Sequence, residues 1–77
     1  MENLEKIRNK INEIDQKIFS LLEERKEQIK KIRKIKKILK KPIEDSQRES
    51  FILQQAKGEY EKEIFLKIIE ESRKLQE

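Results

Sequence analysis

Residues 7–36, IRNKINEIDQKIFSLLEERKEQIKKIRKIK, decide the fold. With Leu4 before them and Leu39 after, they keep a seven-residue apolar rhythm: Leu4, Ile7, Ile11, Ile14, Ile18, Leu21, then Ile32, Ile35 and Leu39. Steps of three and four residues put these side chains on one side of an α-helix. The intervening beats, at 25 and 28, are Arg25 and Gln28. A guanidinium does not shed its charge in a protein, and burying one without an anionic partner is strongly unfavourable. The pattern therefore predicts that something negative meets Arg25 in the seam. The simpler alternative is that Arg25 only fixes register, as polar residues do at coiled-coil core positions.

Outward from this stretch, one all-α domain is expected over 1–77, with helix 1 at about 3–40, helix 2 at about 46–57 and helix 3 at about 60–76. Asn3 suits an N-cap and Glu5 the positive end of the helix dipole. Pro42 disfavours helical geometry at Lys41 and marks the stop. Ser46-Gln47-Arg48-Glu49 fits a capping box, with Asp45 or Ser46 opening helix 2. Gly58, the only glycine, fits the position just past the end of helix 2. Helix 3 carries an apolar stripe of Ile64 or Phe65, Ile68, Ile69 and Leu75, interrupted by Ser72 and Gln76. A first helix near forty residues is longer than ordinary globular helices and asks for a helical partner.

Composition points the same way. The 77 residues are 34% hydrophobic and 47% charged, too little apolar surface for an independent core of this size. The regular apolar spacing argues against disorder, so a second copy is expected to complete the core. Cysteine and histidine are both absent. That excludes disulfide frameworks, thiolate or imidazole metal sites and His-dependent nucleophilic or acid-base chemistry. No metal or other cofactor is expected. The charged start without an apolar run predicts no signal peptide, no stretch is long enough to span a membrane, and a cytoplasmic protein follows as the expectation. Charge is unevenly spread. Residues 1–24 hold four basic and six acidic side chains, residues 25–41 ten and one, residues 42–77 six and nine. The basic stretch predicts an anionic ligand or surface near the second half of helix 1.

The polar residues that break apolar faces are the candidates for chemistry. Lys36 follows Arg25 by eleven residues, about 20° around the helix and about 16 Å along it. Two long side chains so placed converge on one small ligand. Arg48 and Glu49 lie in the first turn of helix 2, where free amides also point outward. Arg8 lies seventeen residues before Arg25, about 25 Å along the same helix. It reaches a ligand shared by Arg25 and Lys36 only if two copies of helix 1 pair antiparallel. Each feature has a structural alternative: Arg8 and Lys36 as solvated flanks, Arg48 and Glu49 as cap residues, Ser72 and Gln76 as a frayed helix end. A nucleic-acid patch is the remaining reading of the basic run. It lacks interleaved aromatics, and its cations spread around the whole helix, so no nucleic-acid partner is expected.

Three segments taken in order resemble the all-α (AroQ-type) chorismate mutase family. IRNKINEIDQKIFSLLEERKEQIKKIRKIK resembles that family's long first helix, with its early Arg, I-D pair, L-L-x-E-R block and a Lys eleven residues on. KPIEDSQRESFI resembles the proline, aspartate and Arg-Glu signature opening the second helix, and IIEESRKLQ the Ser and Gln of the third. The resemblance implies an intertwined homodimer of three-helix chains with two composite sites, acting on the dicarboxylate chorismate. It implies that Arg8 reaches the other protomer's site and binds a substrate carboxylate, and that Arg25 binds carboxylate from within the chain. Lys36 would contact the ether oxygen and a carboxylate. Asp45, Arg48 and Glu49 would line the ring side, Ser72 would lie near a carboxylate, and Gln76 would donate to the ether oxygen. Between Glu49 and Ser72 the chain is shorter than the family's usual spacing by roughly two helical turns. A helix 3 starting near Glu61 returns Ser72 and Gln76 to the level of Glu49, whereas one starting directly after Gly58 carries them about 5 Å past it. Two rival functions share much of this pattern: an isochorismate-pyruvate lyase of the same fold, and a non-enzymatic coiled-coil interaction module.

Overall fold

Helix formers fill most of the chain, and it turns only where caps and linkers allow. The computed structural model describes residues 3–77. It contains three helices, α1 (Leu4–Leu39), α2 (Ser46–Leu53) and α3 (Glu59–Gln76), and no strand among the described residues. The fold is all-α.

Both ends of α1 and the starts of α2 and α3 have identifiable causes. Asn3 caps α1, its Oδ1 accepting from Lys6 N–H at 2.9 Å. The helix closes in a Schellman motif: Lys41 N–H donates to Lys36 O at 2.9 Å and Lys40 N–H to Lys37 O at 3.4 Å. Lys40 sits in the left-handed region, φ 56° and ψ 37°, where glycine is favoured. The chain has therefore already left the helix before Pro42. At α2 the cap is Asp45, whose Oδ1 accepts from Arg48 N–H at 3.1 Å. The expected capping box on Ser46 does not form, because Glu49 is held elsewhere, by Arg73 on α3. Gly58 also departs from expectation. It is not a left-handed residue ending α2 but the fully extended N-cap of α3. Glu61 supports that turn by accepting from Lys57 N–H at 2.9 Å.

Helix 2 is the larger correction. It stops at Leu53 rather than near residue 57, and a non-helical linker joins it to α3, which begins at Glu59 directly after Gly58. The chain keeps turning past Leu53: Gln54 has right-handed helical geometry, and Gln55 and Ala56 N–H donate to Ile52 O at 3.1 Å and Leu53 O at 3.2 Å, before Gly58 extends into α3.

α3 packs against both other helices, whereas α2 makes no close backbone approach to α1. The space between α1 and α2, floored by α3, is where a cavity forms. α3 runs in the same direction as α1. Leu22 and Ile64 share one end of the α1–α3 groove, and Lys36 meets Gln76 at the other.

The chain is elongated, 56 × 23 × 15 Å with a radius of gyration of 16.0 Å. A compact domain of this length has about 11.5 Å. Among the described residues the buried apolar side chains are Ile29 and Ile69, each 7% exposed. The first half of the α1 seam is uncovered: Ile7, Ile11, Ile14 and Ile18 are 41%, 48%, 53% and 47% exposed. No helix among the described residues is long and apolar enough to cross a membrane.

Left-handed geometry at a residue with a Cβ carries strain that glycine relieves. Lys40→Gly is expected to raise stability by about 0.5–1 kcal/mol, read as a higher urea midpoint at unchanged slope.

Candidate functional site

The interruptions of the apolar pattern meet in one place. Ile69, Ser72 and Gln76 fall on one face of α3 and are its buried residues, so two of the three side chains that α3 buries are polar. Buried polar groups need partners, and α1 supplies them. Arg25 Nη1 donates to Ser72 Oγ, and Ser72 Oγ in turn donates to Ile68 O at 2.7 Å. Lys36 Nζ donates to Gln76 Oε1 at 2.9 Å and to Ile43 O at 2.7 Å. The Pro42–Asp45 loop is thus tied across α1 by the same ammonium that orients Gln76. With Oε1 taken by Lys36, Nε2 is the donor end of the amide. It sends one N–H to Ser72 O at 3.3 Å, and its second N–H is available.

α3 does start directly after Gly58, and its Ser72 and Gln76 are reached by the long side chains of Arg25 and Lys36 on α1, while Arg73, next to Ser72, grips Glu49.

These groups line a cavity of about 350 Å³, at the small end of ligand sites. Seven of the eight residues singled out in the sequence surround it: Arg25, Lys36, Asp45, Arg48, Glu49, Ser72 and Gln76, with Ile29, Ile32, Ile43, Ile52 and Ile69 as the apolar part of the wall. Arg8 is not among them. It lies on the exposed N-terminal part of α1, about 25 Å from Arg25 along the helix axis.

Among the described residues no carboxylate meets Arg25; its hydrogen-bond partner is the neutral Ser72 hydroxyl. Burial, and then the like charge of Arg48, hold the Arg25 pKa below its ordinary value. Two guanidiniums thus face one cavity and repel each other, which favours an anion between them. Arg48 is steadied from outside by the face of Phe51, 5.7 Å from the ring centroid. Glu49 is the least solvated carboxylate among the ion pairs, and Arg73 binds it through Nε, 3.1 Å from Oε2, and through Nη2 to Oε1. Arg73 also lines the cavity, and sequence reasoning missed it. A signal was present: Arg73 is four residues past Ile69, on the face of α3 turned inward. No cluster of acidic side chains among the described residues has the arrangement of a metal site.

The all-α scaffold directs several cations and an amide into one half-enclosed cavity, an arrangement whose charge suits an anion. The chain belongs to the chorismate mutase type II family, whose sequence model matches residues 7–77. No curated protein and no solved structure matches it.

Replacing Arg25 by leucine removes a partly desolvated charge and its repulsion with Arg48, while Ser72 keeps Ile68 O as partner. Arg25→Leu is expected to raise folding stability by on the order of 1 kcal/mol, measured by urea denaturation at fixed protein concentration.

Proposed function

We propose that the protein is a homodimeric, cofactor-independent chorismate mutase, rearranging chorismate to prephenate. The observation that carries this reading is the Lys36–Gln76 pair, joined at 2.9 Å on the wall of a cavity that Arg25 and Arg48 also face. The reaction is unimolecular: one C–O bond breaks as one C–C bond forms. It needs no nucleophile, and none of His, Cys or a metal. It does need the enolpyruvyl arm held folded over the ring. Guanidiniums suit this because their forks bind carboxylates with fixed geometry. As the C–O bond stretches, negative charge grows on the ether oxygen. The Lys36 ammonium and the free N–H of Gln76 Nε2 are donors suited to that oxygen, and they stabilise the transition state more than the ground state. Glu49 and the Asp45 backbone are assigned to the ring hydroxyl, and Ser72 to a carboxylate alongside Arg25.

A dimer is supported by three features of α1. Its first half leaves Ile7, Ile11, Ile14 and Ile18 exposed, and a lone chain of this size buries too little apolar surface to be stable. Residues 1–24 carry two more acidic than basic side chains, while residues 25–41 carry nine more basic than acidic, so antiparallel pairing sets opposite charges together. The same pairing delivers Arg8 of each chain to the other chain's Arg25 and Lys36, completing two composite sites.

The test is direct: chorismate is mixed with the purified protein and the loss of its diene absorbance is followed. Turnover is expected, and no acceleration at micromolar enzyme would end this reading. Isochorismate run in parallel separates a mutase from a pyruvate lyase that uses the same anion-binding groups. Lys36→Ala is expected to lower kcat by about 10²–10³. Arg25→Leu should abolish turnover despite its gain in stability, an outcome that a coiled-coil interaction module does not produce. Mixing inactive Arg8→Ala chains with inactive Lys36→Ala chains should restore activity, because a mixed dimer holds one intact site. If exchange is demonstrated and activity stays absent, the sites are not shared.

A further inference from the structure

Arg73 has no part in the chemistry assigned above, yet it is the best-anchored cation at the cavity. It lies on α3 beside Ser72, half-buried. Its Nε donates to Glu49 Oε2 at 3.1 Å and its Nη2 to Glu49 Oε1, and the same Nη2 reaches Glu44 Oε1 at 3.5 Å. A fork gripping both oxygens of a carboxylate is the most directional ion pair a protein can make. The bond to Glu49 in turn raises the Arg73 pKa.

Charge makes this pair consequential. The ionised side chains lining the cavity are Arg25, Lys36, Arg48 and Arg73 against Asp45 and Glu49. Within one chain four cations oppose two carboxylates; without Arg73, three oppose two, and a ligand carrying two carboxylates meets an uncompensated Glu49. Each carboxylate oxygen has a second lone pair, so the grip of Arg73 leaves Glu49 able to accept a hydrogen bond from a ligand hydroxyl.

We propose that Arg73 is a positioning residue for the dianionic substrate: by chelating Glu49 it cancels that carboxylate's repulsion of the ligand and fixes its oxygens toward the ligand's hydroxyl. The inference rests on the cavity being the chorismate site. Because the substrate is a dianion in the ground state and in the transition state alike, the cancelled repulsion acts on both. Loss of Arg73 therefore falls on KM more than on kcat.

The experiment is a double-mutant cycle in the full-length protein, with chorismate as substrate. Arg73→Met is expected to raise KM on the order of tenfold, with kcat changed less than about threefold. Adding Glu49→Gln to Arg73→Met should return KM to the value of Glu49→Gln alone, since the charge needing cancellation is gone. Arg73→Lys should recover most of the KM, as it keeps charge without the fork. Melting by circular dichroism accompanies each variant. A merely structural Arg73 lowers the melting temperature and gives a KM defect that Glu49→Gln leaves in place. If Arg73→Met does not fold, the cycle is run with Arg73→Lys, where a smaller KM rise should again vanish in the Glu49→Gln background. KM effects that multiply independently, or no KM effect, overturn the role of Arg73 while leaving the mutase reading intact. A wild-type protein that fails to turn over chorismate overturns both.

Discussion

A guanidinium set into an apolar helix face is the constraint around which the rest of this chain is arranged. Arg25 occupies a position that Leu or Ile fills elsewhere in α1, and α3 answers it with the Ser72 hydroxyl rather than a carboxylate. That choice satisfies hydrogen-bond geometry without neutralising charge. An Arg–carboxylate pair at the same place would have compensated that charge within the chain. Instead the interface is apolar at Ile29 and Ile69 and polar at Ser72 and Gln76, and its unspent positive charge faces a cavity.

The second half of the architecture follows from how little of α2 there is. Eight residues make about two turns, too short to be held by a broad apolar stripe, and α2 contributes no buried residue. Polar ties at its entrance hold it in place. Lys36 fastens the Ile43 carbonyl from α1, and Arg73 fastens Glu44 and Glu49 from α3. The residues that bind the loop and α2 to the body of the chain are the ones that face the cavity. The ion pairs and hydrogen bonds that seat α2 also belong to the cavity wall, so the charge pattern of the cavity cannot be altered without touching how α2 is seated.

Much of this was legible in the linear chain. Period-3.6 spacing with one proline and one glycine permits little besides three helices, and Asn3, Pro42 and Asp45 mark boundaries through backbone chemistry that acts within a few residues. The candidate side chains were visible for a related reason: a polar residue inside an apolar stripe is conspicuous wherever it occurs, and Arg25, Ser72 and Gln76 all stand out that way. Local rules failed where a distant residue outcompeted them. The Ser46 box gave way because Glu49 does better against Arg73, a partner twenty-four residues away. Gly58 opens α3 as an extended N-cap instead of closing α2. α2 ends at Leu53 rather than near residue 57, which no propensity announces.

The amino-acid order by itself determined the helical class, the length of α1 and the membership of a cationic set, since each depends on periodicity and composition that a chain carries wherever it is. Only the tertiary structure decided which of those cations face one another, that Arg25 meets a hydroxyl instead of a carboxylate, and that Arg73 belongs to the cavity wall. Those outcomes depend on how α3 lies against α1 and α2, which is fixed by long-range packing and polar contacts that have no signature in sequence spacing.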